Sequence, residues 1–217
     1  MGKALDYIRK EKEYYGKILY NINSAISDIS PYVDKRELNE RKYVSRVSVL
    51  KRYMELLDEV ESREEKDGIL GFLNDDKNIR ELEEFKRKNN DALTQLEKCN
   101  MCQRLKCPAG CKLASCLSCR PGSWVAYCDH ERIKVTFHDN FILDLTNERT
   151  GVRERFKVLA TVEDDLKNKQ YIIIEGLSSR EKYVLYYYPG IVEDTYGEIT
   201  DEEEFDFIVS VFESVER

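Results

Sequence analysis

All 7 cysteines of this 217-residue chain fall between Cys99 and Cys128, and no other feature of the sequence limits the fold as tightly. They come as near neighbours: Cys99 and Cys102, Cys107 and Cys111, Cys116 and Cys119, then Cys128 beside His130. Zinc takes four sulfur or imidazole ligands in a tetrahedron, and two ligands on one tight turn supply half a site. Eight ligands therefore predict two zinc ions held by Cys99, Cys102, Cys107, Cys111, Cys116, Cys119, Cys128 and His130. The pairing stays open. A sequential arrangement puts Cys99, Cys102, Cys107 and Cys111 on one ion and the other four on the second, whereas an interleaved one joins the first pair with the third and the second with the fourth. Short separations after Cys102 and Cys111 favour the sequential arrangement, since small loops close at low entropic cost.

Charge is segregated along the chain. Residues 1–97 carry −2, residues 98–134 carry +5 before any thiol ionises, residues 135–159 balance, and residues 160–217 carry −10, for a net charge of −7. Thiolates on two zinc ions need neighbouring cations, so the basic excess of the cysteine segment is explained without nucleic acid. An acidic C-terminal surface repels phosphate, and any nucleic-acid contact has to come from Lys98, Arg104, Lys106, Lys112, Arg120 and Arg132, with Trp124 or Tyr127 stacking on bases.

Catalytic signatures are missing. A catalytic zinc keeps one position open beside a general base, whereas here the protein can fill every position. The H-x-E with P-C-x-x-C order, H-E-x-x-H, phosphate-binding glycine loops and G-x-S-x-G are all absent, and His138, placed at a strand end and expected to be exposed, is the one remaining histidine. The sequence predicts no enzyme. Its opening residues lack an apolar leader, Asp6 departs from the myristoylation pattern, and no run reaches the roughly 18 apolar residues of a membrane span. A cytoplasmic chain without membrane contact is expected, with reduced thiols rather than a disulfide framework.

Around this cluster the hydrophobic pattern changes period. Ile8, Tyr15, Ile22 and Ile29 stand seven apart, with Leu5, Ile18, Leu19, Ala25 and Ile26 beside them, so residues 3–29 predict an amphipathic helix stopped by Pro31. Asp34 and Glu37 form a capping-box pattern before a second helix with Leu38, Val44, Val47, Leu50, Met54, Leu57 and Val60 on its apolar face. Gly68, Gly71 and Asp75-Asp76 mark a break, and Ile79, Leu82, Phe85, Ala92, Leu93 and Leu96 predict a third helix running into Cys99. The result is an antiparallel helical hairpin or three-helix bundle, whose stripes either cover each other or offer a seam to a second copy or a partner helix.

Beyond Arg132 the period falls to two. Residues 133–137, 141–145, 156–162, 171–174 and 183–188 are rich in β-branched and aromatic residues and are separated by turn formers such as Asn140, Asn147, Gly151, Asn168 and Gly176. An antiparallel β-meander follows, closed by a helix that starts at Thr200-Asp201-Glu202-Glu203 and carries Phe205, Ile208, Val209, Phe212 and Val215 on one side. The expected fold is α+β in three parts: a helical, coiled-coil-like arm (1–97), a zinc-binding cysteine-rich module (98–131) and a small acidic α+β domain (132–217).

Phe156–Val162, Tyr171–Ile174, Tyr183–Tyr187 and Gly197–Phe205 together resemble the YrzB-like family of bacterial domains of unknown function. In that family a few strands precede an acidic turn and a helix with the same kind of acidic cap. The resemblance covers less than a third of the chain and implies a small α+β module without catalytic residues; the helices and the cysteine cluster lie outside it. The combined reading is a non-enzymatic zinc-binding interaction protein, an adaptor or regulator whose zinc rigidifies the joint between arm and module, with a protein partner not identified by the sequence. A nucleic-acid- or ribosome-associated zinc protein and a thiol redox sensor are the alternatives.

Overall fold

The computed structural model describes residues 2–67, 75–108, 113, 116–146 and 151–216. The chain is α+β and divides into two units, Met1–Asn100 with Leu105–Pro108, and Met101–Arg104 with Ala109–Arg217. Residues 98–131 are thus shared between them.

The first unit is helical. Helix α1 (Lys3–Ile29) buries Ala4, Ile8, Tyr15, Ile18, Ile22, Ala25 and Ile29, the heptad stripe the sequence shows. A short helix α2 (Lys35–Glu40) leads to α3 (Lys42–Asp67), which buries Tyr43, Val47, Leu50, Tyr53, Leu57 and Val60. Helix α4 (Asp75–Lys88) is followed by α5 (Asn90–Met101). Lys12 pairs with Asp58 and Glu61, and Arg63 with Glu81, so α1, α3 and α4 run up, down and up. The stripes cover one another within the unit, which places the apolar residues of a predicted seam inside a three-helix core. Fully burying a Leu such as Leu50 or Leu57 contributes roughly 2–3 kcal/mol to holding these helices together.

Two predicted helices are each split. The second breaks at Arg41, whose extended backbone (ψ 136°) separates α2 from α3. Its buried guanidinium donates to the Cys107 carbonyl oxygen at 2.8 Å, and Tyr43 Oη donates to the Leu105 carbonyl oxygen at 3.0 Å. A buried guanidinium must find acceptors, and the distant 105–108 segment supplies one, which no local pattern announces. The third helix breaks at Asn89, whose side-chain amide donates to the Phe85 carbonyl oxygen at 2.8 Å and competes with the helical ladder. Asp34 caps α2, but by accepting from the Arg36 N–H rather than from Glu37. The expected break at Gly68 and Gly71 lies outside the described residues, as does the turn at Asn147.

The second unit contains a seven-stranded antiparallel sheet: β1 (Ser123–Cys128), β2 (Ile133–His138), β3 (Ile142–Thr146), β4 (Arg153–Asp164), β5 (Lys169–Gly176), β6 (Lys182–Tyr188) and β7 (Thr195–Glu198). The order is β1-β2-β4-β5-β6-β7, with β3 off this path and paired to β4. This departs from a simple meander because β4 has 12 residues, long enough for β2 to pair along Ala160–Asp164 and β3 along Arg153–Lys157. Strands β1 and β7 were not foreseen: the first is hidden among the cysteines, and the second has only 4 residues.

A bulge in β4 assigns the faces. Val158 pairs with Ile174 and Ala160 with Ile173, so residues two apart lie on opposite sides of the sheet. Ala160 and Val162 join Ile133, Val135, Tyr171 and Ile173 under the terminal helix α6 (Glu202–Val215), which contributes Ile208 and Phe212. Val158, Ile172, Ile174 and Tyr187 form a second cluster on the other face, with Phe156, Leu143 and Leu145 against it. The α6 stripe is shifted from the expected one. Asp201 caps it by accepting from Glu204 N–H at 3.0 Å, Glu204 is buried, and Phe205 is 39% exposed. No helix among the described residues is long and apolar enough to cross a membrane.

Candidate metal centre

The cysteine segment begins where α5 ends. Cys99 is buried in the last turn of that helix, and its Sγ accepts from Gln95 Nε2 one turn earlier at 3.4 Å. Cys107 belongs to the same unit; its carbonyl oxygen is held by Arg41 and its thiol faces the Pro108 carbonyl oxygen at 3.3 Å.

In the second unit, residues 101–104 lie along β1. Gln103 N–H donates to the Val125 carbonyl oxygen at 2.9 Å, and Cys102 Sγ accepts from two backbone N–H groups, Arg104 at 3.4 Å and Val125 at 3.3 Å. Sulfur that receives main-chain donors suits a thiolate, the form a metal needs, because the N–H dipoles stabilise its charge. On balance burial, with Cys116 nearby, pushes the Cys102 thiol up, and the two N–H groups and Arg104 offset only part of that rise. Cys116 opens a single 3-10 turn over Cys116–Ser118, and the Cys119 N–H donates back to the Cys116 carbonyl oxygen at 3.3 Å. That is the tight turn a two-residue ligand spacing demands. The Cys119 thiol lies 3.4 Å from the Ser123 carbonyl oxygen. Cys128 ends β1, buried against Leu113 and Val125, with Cys102 on the same cluster.

His130 sits exposed in the β1–β2 hairpin with φ 67°. The hairpin is organised by Asp129, whose Oδ1 accepts from the backbone N–H groups of Glu131 (3.0 Å), Arg132 (2.8 Å) and Ile133 (2.9 Å). Cys111 lies outside the described residues. Among the described residues no three His, Cys, Asp or Glu side chains gather as a ready-made metal site, and no disulfide joins the cysteines.

Four of the six cations offered for nucleic acid are buried or paired with carboxylates. Arg104 is buried; Lys106 pairs with Asp28 at 2.8 Å; Arg120 contacts Asp194 at 3.4 Å and stacks over Phe141 at 4.2 Å; Arg132 pairs with Asp164 at 2.8 Å. Lys98 is half-buried in α5, and Lys112 lies outside the described residues. Trp124 is half-buried edge-on to Phe137, and Tyr127 is 40% exposed.

Comparison with family models, curated proteins and solved structures finds no match to this chain. Its chemistry therefore rests on its own residues.

His138 corrects one expectation. It is buried rather than exposed, with Nδ1 2.6 Å from Ser123 Oγ and Nε2 3.0 Å from Thr161 Oγ1. Burial first, then the charges of Arg120 and Lys134, push its pKa down to about 4. The register Ser123↔His138 across β1 and β2 explains the pairing, which no pattern local to His138 shows. Both ring nitrogens thus face hydroxyls, and the imidazole is closed from solvent. Asp129 could have been found from sequence, since an Asp before a strand commonly caps its own turn.

Proposed function

We propose that this chain is a non-enzymatic zinc-binding interaction protein, an adaptor or regulator that holds two zinc ions through Cys99, Cys102, Cys107, Cys111, Cys116, Cys119, Cys128 and His130. The observation that carries the reading is Cys102: its sulfur accepts two main-chain N–H groups while the Cys116–Cys119 turn lies in the same unit. The paired spacing supplies the remaining support, and the carboxylates that already pair Lys106, Arg120 and Arg132 favour a protein partner over nucleic acid. The YrzB-like kinship of residues 156–205 belongs to the same proposal, supported by strands that precede an acidic helix cap. Closed four-ligand zinc contributes folding free energy rather than an open coordination position, so turnover is not expected.

Native mass spectrometry of the chain purified without added metal tests this reading, because one spectrum gives zinc count and oligomeric state. Two zinc ions per chain are expected. One zinc overturns the eight-ligand set in favour of a thiol redox sensor, and a folded chain without metal overturns structural zinc altogether.

A further inference from the structure

The face of the sheet away from α6 is only partly filled. Between β3 and β7 it forms a groove of about 1050 Å³, floored by Leu143, Phe156, Ile174, Leu185 and Tyr196. Glu154, Glu193 and Asp194 stand among its lining residues, and no lysine or arginine does so among those described. Asp144 of β3 lines it as well, and Glu193 and Asp194 belong to residues 160–217, which carry −10, whereas Asp144 and Glu154 come from the charge-balanced stretch before it.

Beside it projects the loop between β6 and β7. Ile191 and Val192 at its tip are fully exposed, at 106% and 99%. The loop is built to hold them there. Asp194 accepts from the Gly190 N–H at 3.1 Å and from Tyr187 Oη at 2.9 Å. A Cβ on Gly190 would stand 2.0 Å from the Glu193 carbonyl oxygen, so the turn admits no side chain there without moving. Just before the groove-lining Glu193 and Asp194, these two adjacent aliphatic side chains add exposed apolar surface at the groove's edge.

We propose that the groove and the Ile191–Val192 tip form one docking surface for a partner segment in which bulky apolar side chains alternate with Lys or Arg. Apolar side chains fill the floor and cover the tip, and the cations meet Glu154 and Glu193. Charge complementarity selects this occupant, since an acidic segment would bring like charges together over a low-dielectric trough. The inference rests on the interaction-protein reading and gives it a surface, but it does not depend on zinc.

The test uses the full chain and a fluorescein-labelled 12-residue peptide of alternating Leu and Lys, followed by fluorescence anisotropy. Saturable binding is expected, weakened at least tenfold by I191S with V192S and by E154Q with E193Q, and unchanged by E202Q with E203Q in the exposed first turn of α6. Equal binding of a Ser/Lys peptide, equal loss in the E202Q/E203Q chain, or no binding would overturn the proposal. So would a dimer of the wild-type chain in sedimentation that dissociates in the I191S/V192S chain, which would make a second copy the occupant. Zinc is counted on the same samples: binding absent with two zincs present overturns the groove alone, whereas binding with zinc absent supports the groove and overturns the metal reading alone.

Discussion

Tyr171 Oη donates to Glu204 Oε1 at 2.6 Å, tying strand β5 to the first turn of α6 beneath the sheet's covered face. Lys169 Nζ donates to both oxygens of the same carboxylate at 2.9 and 2.8 Å. A carboxylate with its acceptor positions filled is tolerable in a core that would reject it alone. This junction also explains why the apolar stripe of α6 is read from Glu204 onward rather than from Phe205.

Glu204→Gln should lower stability by about 2 kcal/mol, because the Lys169 charge loses its counterion while shape is kept. Burial alone would raise the carboxyl, but the hydrogen bonds from Lys169 and Tyr171 reverse this and hold it down at about 2. A depressed carboxyl contributes stability that is complete above its ordinary value of 4.5 and is lost as pH falls towards 2. Urea denaturation from pH 6 to pH 2 should therefore fall less steeply in E204Q than in the wild type; parallel curves would show that Glu204 is not held this way.

His138 gives a second pH window. Its native pKa of about 4 lies below the ordinary 6.5, so the unfolded chain binds a proton that the native chain does not. Stability is full above pH 6.5 and falls as pH drops towards 4, by about 3 kcal/mol from this residue alone. His138→Gln should flatten that interval in chemical denaturation. Nuclear magnetic resonance titration of the imidazole near 6.5 would contradict the burial argument.

Gly122 has φ 77°, and a Cβ there would lie 3.0 Å from the Asp139 carbonyl oxygen. The Asp139 N–H in turn donates to the Gly122 carbonyl oxygen at 3.0 Å, closing the open end of the β1–β2 pair. Gly122→Ala should cost about 1–2 kcal/mol, from left-handed backbone strain plus the close contact. Thermal unfolding of the variant checks the figure, with the Trp124 emission as a probe of the adjacent strand.

Cys116→Ser should remove one zinc and loosen the cysteine segment, since metal binding and folding are coupled in small sites. The expected readouts are a reduced zinc count and a changed Trp124 fluorescence, with a chelator reproducing the second change in the wild type. Unaltered fluorescence and thermal stability in both would argue against structural metal.

What the sequence determined by itself is whatever depends on spacing along a short window. The heptad Ile8, Tyr15, Ile22 and Ile29 marks α1 because neighbours on a helix face are fixed by the helical repeat, and the β-branched runs mark five strands because a pleated surface repeats every two residues. Close cysteine spacing likewise announces tight turns, and Cys116–Ser118 does form one. Tertiary structure decided the rest. Arg41 interrupts a helix for the sake of a carbonyl 66 residues away. His138 loses its solvent because β1 pairs with β2, and Val158 and Ala160 part company because a bulge at that point turns the strand over. Each of these rests on a partner far off in sequence, so no local pattern could encode it; the groove beside Ile191 and Val192 exists for the same reason, assembled from strands that meet only when the sheet closes.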